Sequence, residues 1–134
     1  MESLEIVNKY LNIIFVENKN GVGLSDLLAE DFVFNDPFTN ASSAKEFIDN
    51  PATQNWIKTG KTLSMEKQLV NENSVCSLYS IAVQTPNGKA EIFQLNDYVE
   101  LTNGKISKER VYFSDPLQFA KAMGFLDSYV KAYQ

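Results

Sequence analysis

Three residues of the sequence have the type and position to do acid–base chemistry: Asp36, Asp97 and Tyr10. Asp36 stands in FVFNDPFTN, residues 32–40, where it continues the apolar alternation of Phe32 and Phe34 and is followed at once by Pro37. Asp97 stands in IFQLNDYVEL, in the phase of Phe93, Leu95, Val99 and Leu101, while the opposite phase holds Gln94, Asn96 and Glu100. Tyr10 lies beside the stripe Leu4, Val7, Leu11, Ile14 and Phe15. A carboxylate left ionised and unpaired on an apolar face costs on the order of several kcal/mol, so it must be hydrogen-bonded, protonated or set against a cavity. No lysine or arginine shares the phase of Asp97. A raised pKa is the expected consequence, and a neutral carboxylic acid is a hydrogen-bond donor. Glu109 shares a phase with Val111 and Phe113, which would turn a further carboxyl the same way.

Each of these residues also has a purely structural reading. Asp36 can start a turn before its proline, Asp97 can be a buried acid bonded to Tyr10 or to backbone, and Tyr10 can be a core tyrosine with a satisfied hydroxyl. The rest of the composition limits the chemistry further. With no histidine, Ser-His and Cys-His nucleophile pairs and histidine acid–base catalysis are excluded. Carboxylates and tyrosines remain. The single cysteine, Cys76, has no second thiol and no histidine for a disulfide or a metal site and reads as a small core residue; no metal is expected. A net charge of -5, with Arg110 as the one arginine, argues against nucleic acid and anionic membrane surfaces as partners. The opening MESLEIVNKY lacks the basic start of a secretory signal, and no apolar run is long enough to span a bilayer. A soluble protein in a reducing cytoplasm is the expectation.

The elements that must position these residues follow from periodicity. The spacing predicts an amphipathic helix from Glu2 to about Asn18, ended by the run Asn18, Lys19, Asn20, Gly21 and Gly23. A short helix over about Leu24–Ala29 and a strand over Asp31–Asp36 come next. Ser43 and Glu46 are spaced as a capping box for a helix to about Asn50, with Pro51 marking its end. Trp56 follows, placed to cover the mouth of a cavity or simply to pack. Four long strands, 61–71, 74–85, 89–102 and 105–114, are separated by NEN, PNG and NGK, which are hairpin signals. Asp115 and Pro116 then cap a helix closed by Gly124. With no composition break in 134 residues, the chain reads as one domain, 1–134. Helices on one side of a bent antiparallel sheet make an α+β cone. The apolar strand phases, with Trp56, would line it: Phe32, Phe34, Tyr79, Phe93, Leu95, Val99, Glu109, Val111 and Phe113. The strand VCSLYSIAV is apolar in both phases while helices cover one face, so a homodimer through the outer face is expected.

The segments AEDFVFNDPF (29–38), DYVELTNGKI (97–106) and VYFSDP (111–116) resemble the SnoaL-like and ketosteroid-isomerase-like branch of the cone-shaped NTF2-like superfamily. The resemblance runs from the first helix through Gly124. It implies an NTF2-like (cystatin-like) fold and a small, largely apolar or carbonyl-containing molecule in the cone. It also implies cofactor-independent isomerase- or lyase-like proton transfer: Asp36, before Pro-Phe, as the base, with Tyr10 and a protonated Asp97 stabilising an enolate oxygen. A carboxylic acid kept neutral to donate a hydrogen bond is the known pattern of that isomerase. The Arg-Asp pairing of the epoxide-hydrolysing members is not visible, since Arg110 has no aspartate two residues on. A non-catalytic ligand-binding or dimeric assembly module is the alternative, because this fold hosts many roles.

Overall fold

The computed structural model describes residues 2–16 and 20–132. Helix α1 (Glu2–Phe15) buries Val7, Tyr10, Leu11 and Ile14, the face its spacing predicts. The helix end expected near Asn18, and the loop residues Asn18 and Lys19, lie outside the described residues. A single turn, α2 (Leu24–Leu27), leads into β1 (Leu28–Asn35), which begins at Leu28 rather than Asp31 and stops one residue before Asp36. The two-residue β2 (Asn40–Ala41) folds back on β1, pairing Ala41 with Phe34. Helix α3 (Ala44–Asp49) starts at Ser43, whose hydroxyl accepts the Glu46 N–H at 3.0 Å.

Pro51 marks the end of α3, as the sequence suggested, and also opens a helix that the sequence did not reveal, α4 (Pro51–Lys58). At the first helical position a proline lacks only an N–H that would have no helical partner. The Asn50 side chain accepts the Ala52 N–H at 2.9 Å and completes the cap. Trp56 therefore rides on a helix. The strands β3 (Lys61–Asn71), β4 (Ser74–Gln84), β5 (Ala90–Thr102) and β6 (Lys105–Phe113) form the expected meander. The β5–β6 turn carries positive φ at both Asn103 (52°) and Gly104 (77°), the pair that a tight hairpin twist demands. Asp115 accepts the Gln118 N–H at 3.0 Å to start α5 (Pro116–Met123), and Gly124 ends it. A last helix, α6 (Leu126–Ala132), which the sequence reading left unassigned, buries none of its own side chains.

The sheet order is β2-β1-β6-β5-β4-β3. Its ladders are antiparallel except β1–β6, which is parallel, so the sheet is mixed where an all-antiparallel one was expected. A parallel neighbour needs a long crossover, and α3, α4 and three strands of the meander supply it. Irregularities in β1, between Met65 and Lys67, and between Glu100 and Leu101 break the registers, and such bulges bend strands. The result is a curved, open sheet with helices against its inner face. Along β4 the buried residues are Val75, Ser77, Tyr79, Ile81 and Val83, while Cys76, Leu78 and Ala82 are partly exposed on the other side. Cys76 is thus an outer-face residue and not the core residue expected of it: the strand's inner phase is the one carrying Tyr79. Among the described residues no helix is long and apolar enough to cross a membrane.

Candidate functional site

Strand register builds the site. Across β4–β5, Tyr79 opposes Leu95 and Ser77 opposes Asp97, so Tyr79 lies diagonal to Asp97 on the inner face. Across β5–β6, Asp97 opposes Val111 and Val99 opposes Glu109, which places Glu109 on the other diagonal of Asp97. Diagonal neighbours of this kind are within reach of long side chains. Tyr10 arrives from α1. The outcome is a layer of four buried groups, Asp97 (1% exposed), Glu109 (3%), Tyr10 (2%) and Tyr79 (2%). Tyr79 donates its hydroxyl to Asp97 Oδ2 at 2.7 Å, and Tyr10 donates to Glu109 Oε1 in a short bond.

The two carboxyls stand within hydrogen-bonding reach of one another. Burial pushes Glu109 well above the ordinary carboxyl range, and the neighbouring Asp97 adds to this. Asp97 is raised by burial too, but hydrogen bonds from Glu109 and Tyr79 oppose the shift. Both shifts disfavour two charges side by side, so the pair shares a proton. Asp97 Oδ1 is buried and, with both carboxyls ionised, meets no donor among the described residues. The shared proton supplies one. Burial, and the carboxyls beside them, hold the Tyr10 and Tyr79 phenols well above their ordinary value, so both stay protonated as donors.

Asp36 follows β1 in a turn. Its Oδ1 accepts the N–H groups of Phe38 (2.7 Å) and Thr39 (2.6 Å), and its own N–H donates to the Thr39 carbonyl at 3.0 Å. This is the aspartate-before-proline turn of the structural reading. The same side chain also lines the cavity with Asp97 and Glu109. Burial pushes Asp36 up to about 6, against the lowering effect of the two N–H donors.

The cavity encloses about 380 Å³. Of the residues singled out in the sequence, it is lined by Tyr10, Phe34, Asp36, Trp56, Tyr79, Leu95, Asp97, Glu109, Val111 and Phe113. Phe32, Phe93 and Val99 do not line it. Phe32 is fully buried behind Phe34 and packs against Phe47 at 5.2 Å. Phe93 is covered by Phe119, 5.0 Å away edge to face. Val99 lies one pleat beyond Asp97 and is paired with Val75 and Glu109, beneath the carboxyl layer that floors the cavity. The sequence reading missed Phe38, Phe119 and Phe125, which form one aromatic cluster on the lining, Phe38 stacked on Phe119 and edge to face with Phe125. The signal for Phe38 was its place right after Asp36-Pro37. Phe119 was legible only as the buried side of α5. Arg110, turned to the outer face, lies over the Tyr112 ring at 5.2 Å. Among the described residues no three acidic or thiol side chains gather to hold a metal ion.

No family model matches the sequence, and no curated protein matches it. Solved structures do match in fold. An NTF2-like protein of unknown function from Burkholderia pseudomallei superposes with a TM-score of 0.77 at 14% identity, over 92% of this chain and 98% of that one. One of the same description from Cytophaga hutchinsonii gives 0.66 at 23% identity, over 87% and 93%. An LEH-like epoxide hydrolase of M. tuberculosis gives 0.66 at 16% identity, over 98% and 94%. The chain has the NTF2-like α+β cone fold.

Proposed function

We propose that this NTF2-like cone binds a small, largely apolar carbonyl compound and moves a proton on the carbon next to the carbonyl. The observation that carries this reading is the separation of three carboxyls facing one apolar cavity: Asp36 titrating at about 6, and the Asp97–Glu109 pair holding a proton between them. Environments that push carboxyl pKa values apart assign base and acid. Ionised Asp36 takes the proton from carbon, with its Oδ1 held by two backbone N–H groups. The proton held by the Asp97–Glu109 pair passes to the carbonyl oxygen, so the intermediate is a neutral enol and the negative charge that leaves Asp36 comes to rest on the acid pair, where the Tyr10 and Tyr79 hydroxyls bond it. Return of the Asp36 proton to another carbon, and of the enol proton to the acid pair, completes an isomerisation. The roles differ from those the resemblance implies. Tyr10 bonds Glu109 and Tyr79 bonds Asp97, so in this reading both hydroxyls position the acid pair.

Deuterium exchange at the α-carbon of 2-tetralone, followed by NMR, tests it. The wild type is expected to accelerate exchange, with a rate that climbs as pH rises through about 6 and Asp36 ionises. Asp36→Asn should lose about 100-fold of that acceleration, the lower end of what a positioned base contributes. Exchange equal to the buffer rate would favour a non-catalytic ligand-binding module.

A second reading concerns assembly. The outer sheet face exposes Leu69 (52%), Ile92 (69%) and Tyr112 (49%), next to the partly exposed Cys76, Leu78 and Ala82. We propose that a second copy covers this strip, giving a homodimer. Sedimentation should then show twice the 15.1 kDa chain mass, and Ile92→Glu should return the monomer. A wild type that sediments as a monomer at high micromolar concentration would rule this out.

A further inference from the structure

The residues that line the cavity have an unbalanced charge. Among those described, Asp36, Asp97 and Glu109 contribute carboxyls, and no lysine or arginine stands with them. The chain has no histidine to do so. Lys61, whose ammonium lies 4.8 Å over the Trp56 ring, is engaged by the carbonyls of Trp56, Ile57 and Thr59 and is not on the lining. The remaining walls are largely aromatic, among them Phe15, Phe34, Trp56 and Phe119. Aromatic faces attract cations and carboxyls attract them more strongly, whereas an anion would meet like charge with no compensating group. Asp97 Oδ1, buried and aimed into the carboxyl layer, adds an acceptor whose only donor is a shared proton.

We infer that the cavity selects ligands carrying a positively charged nitrogen on an apolar body, over neutral molecules of the same shape and against anions. This deepens the proposed function and rests on its ligand-binding part: the substrate would bear a basic or quaternary nitrogen as well as its carbonyl. The aromatic wall seats the apolar body, and the carboxyls at the floor face the nitrogen. Nothing in the fold resemblance requires a charged substrate; the preference comes from the Asp97–Glu109 pair, which sits inward on β5 and β6 with no cation on the lining beside it.

Three probes of one shape decide it: benzyltrimethylammonium, its carbon isostere neopentylbenzene, and the anion benzylsulfonate. Binding is read from the fluorescence of Trp56, the single tryptophan and a lining residue. The cation is expected to bind about tenfold more tightly than the carbon isostere, with the sulfonate weakest of the three. In the double variant Asp97→Asn/Glu109→Gln the cation advantage should fall to about threefold or less while neopentylbenzene keeps its affinity, which also reports that the variant is folded. The single variant Glu109→Gln, close in shape, serves if the double variant does not fold, and should lower the same ratio. Equal binding of the cation and its isostere by the wild type overturns the inference and leaves the apolar-ligand reading standing. So does a ratio unchanged in both variants. Failure of all three probes to bind overturns both. Cation selectivity without deuterium exchange would uphold the inference and remove only the proton-transfer step.

Discussion

Phe119→Ala should destabilise the protein by about 3–5 kcal/mol, the range for emptying a buried aromatic site. The ring is 5% exposed and meets Phe38, Trp56, Phe93, Phe113 and Phe125, with centroids 4.7–6.0 Å away. Those five residues come from the Asp36 turn, α4, β5, β6 and the segment after α5. One side chain therefore ties the Asp36 turn, α4 and the segment after α5 to the inner face of β5 and β6. Domains of this size have about 5–15 kcal/mol of net stability, so the loss would be a large share of it. Urea unfolding followed by Trp56 fluorescence would measure it. Leu117→Ala, on the exposed face of the same helix (53% exposed), should shift stability by about 0.5 kcal/mol or less. Similar losses for both variants would mean that the aromatic cluster does not tie these segments together.

Stability should also fall as pH rises from about 4 to 7, an effect of about 3 kcal/mol from Asp36 alone. The folded-state pKa of Asp36 is raised, from 3.8 to about 6. A group raised on folding contributes its full stability below the unfolded value and loses it as pH passes the folded value. Below pH 3.8 both states hold the proton, and between there and about 6 only the folded state does. Above about 6 the folded protein carries a charge in a poor solvent environment. Asp97 and Glu109 act with the same sign, and Glu109 extends the fall to higher pH. Lys61 works in the opposite direction, but burial lowers it only to about 8, so its effect begins above this window. Urea midpoints at pH 4.5 and 7.5 test the expectation. Asp36→Asn should flatten the lower part of the curve and Asp97→Asn/Glu109→Gln the upper part. A wild-type midpoint that is flat or rises over this interval would show that the three carboxyls are solvated in the folded state.

Period-two alternation carried the meander, and with it the inward direction of Asp97 and Glu109, because a strand buried on one side allows only one phase inward. Stripe spacing placed Tyr10 on the buried face of α1 for the same reason. What alternation cannot give is which strands are neighbours. The Tyr79–Asp97 bond needs the β4–β5 register and the Tyr10–Glu109 bond needs the docking of α1, so neither was legible from phase alone. Pro51 does mark the end of α3, but a proline at a first helical position looks the same in sequence, so the start of α4 at that residue, capped by Asn50, stayed hidden. Phe32, Phe93 and Val99 share the inward phase with the lining but lie at levels where another ring, or the carboxyl layer, comes between them and the cavity. Phase fixes direction, and depth depends on packing.

The parallel β1–β6 ladder has a consequence in time. It pairs Phe34 with Glu109, joining chain segments farther apart in sequence than any other ladder among the described residues. Hairpin neighbours close short loops and form readily, whereas a pairing of this reach must wait for its distant partner. During synthesis Asp36 and Asp97 both emerge before the strand that stands between them. Until β6 is made, β1 has no partner that joins it to β5, and Asp36 and Asp97 belong to separate pieces of chain. The carboxyl constellation is in this sense a property of the finished polypeptide: its last-made strand is both the third carboxyl's carrier and the bridge that brings the other two together.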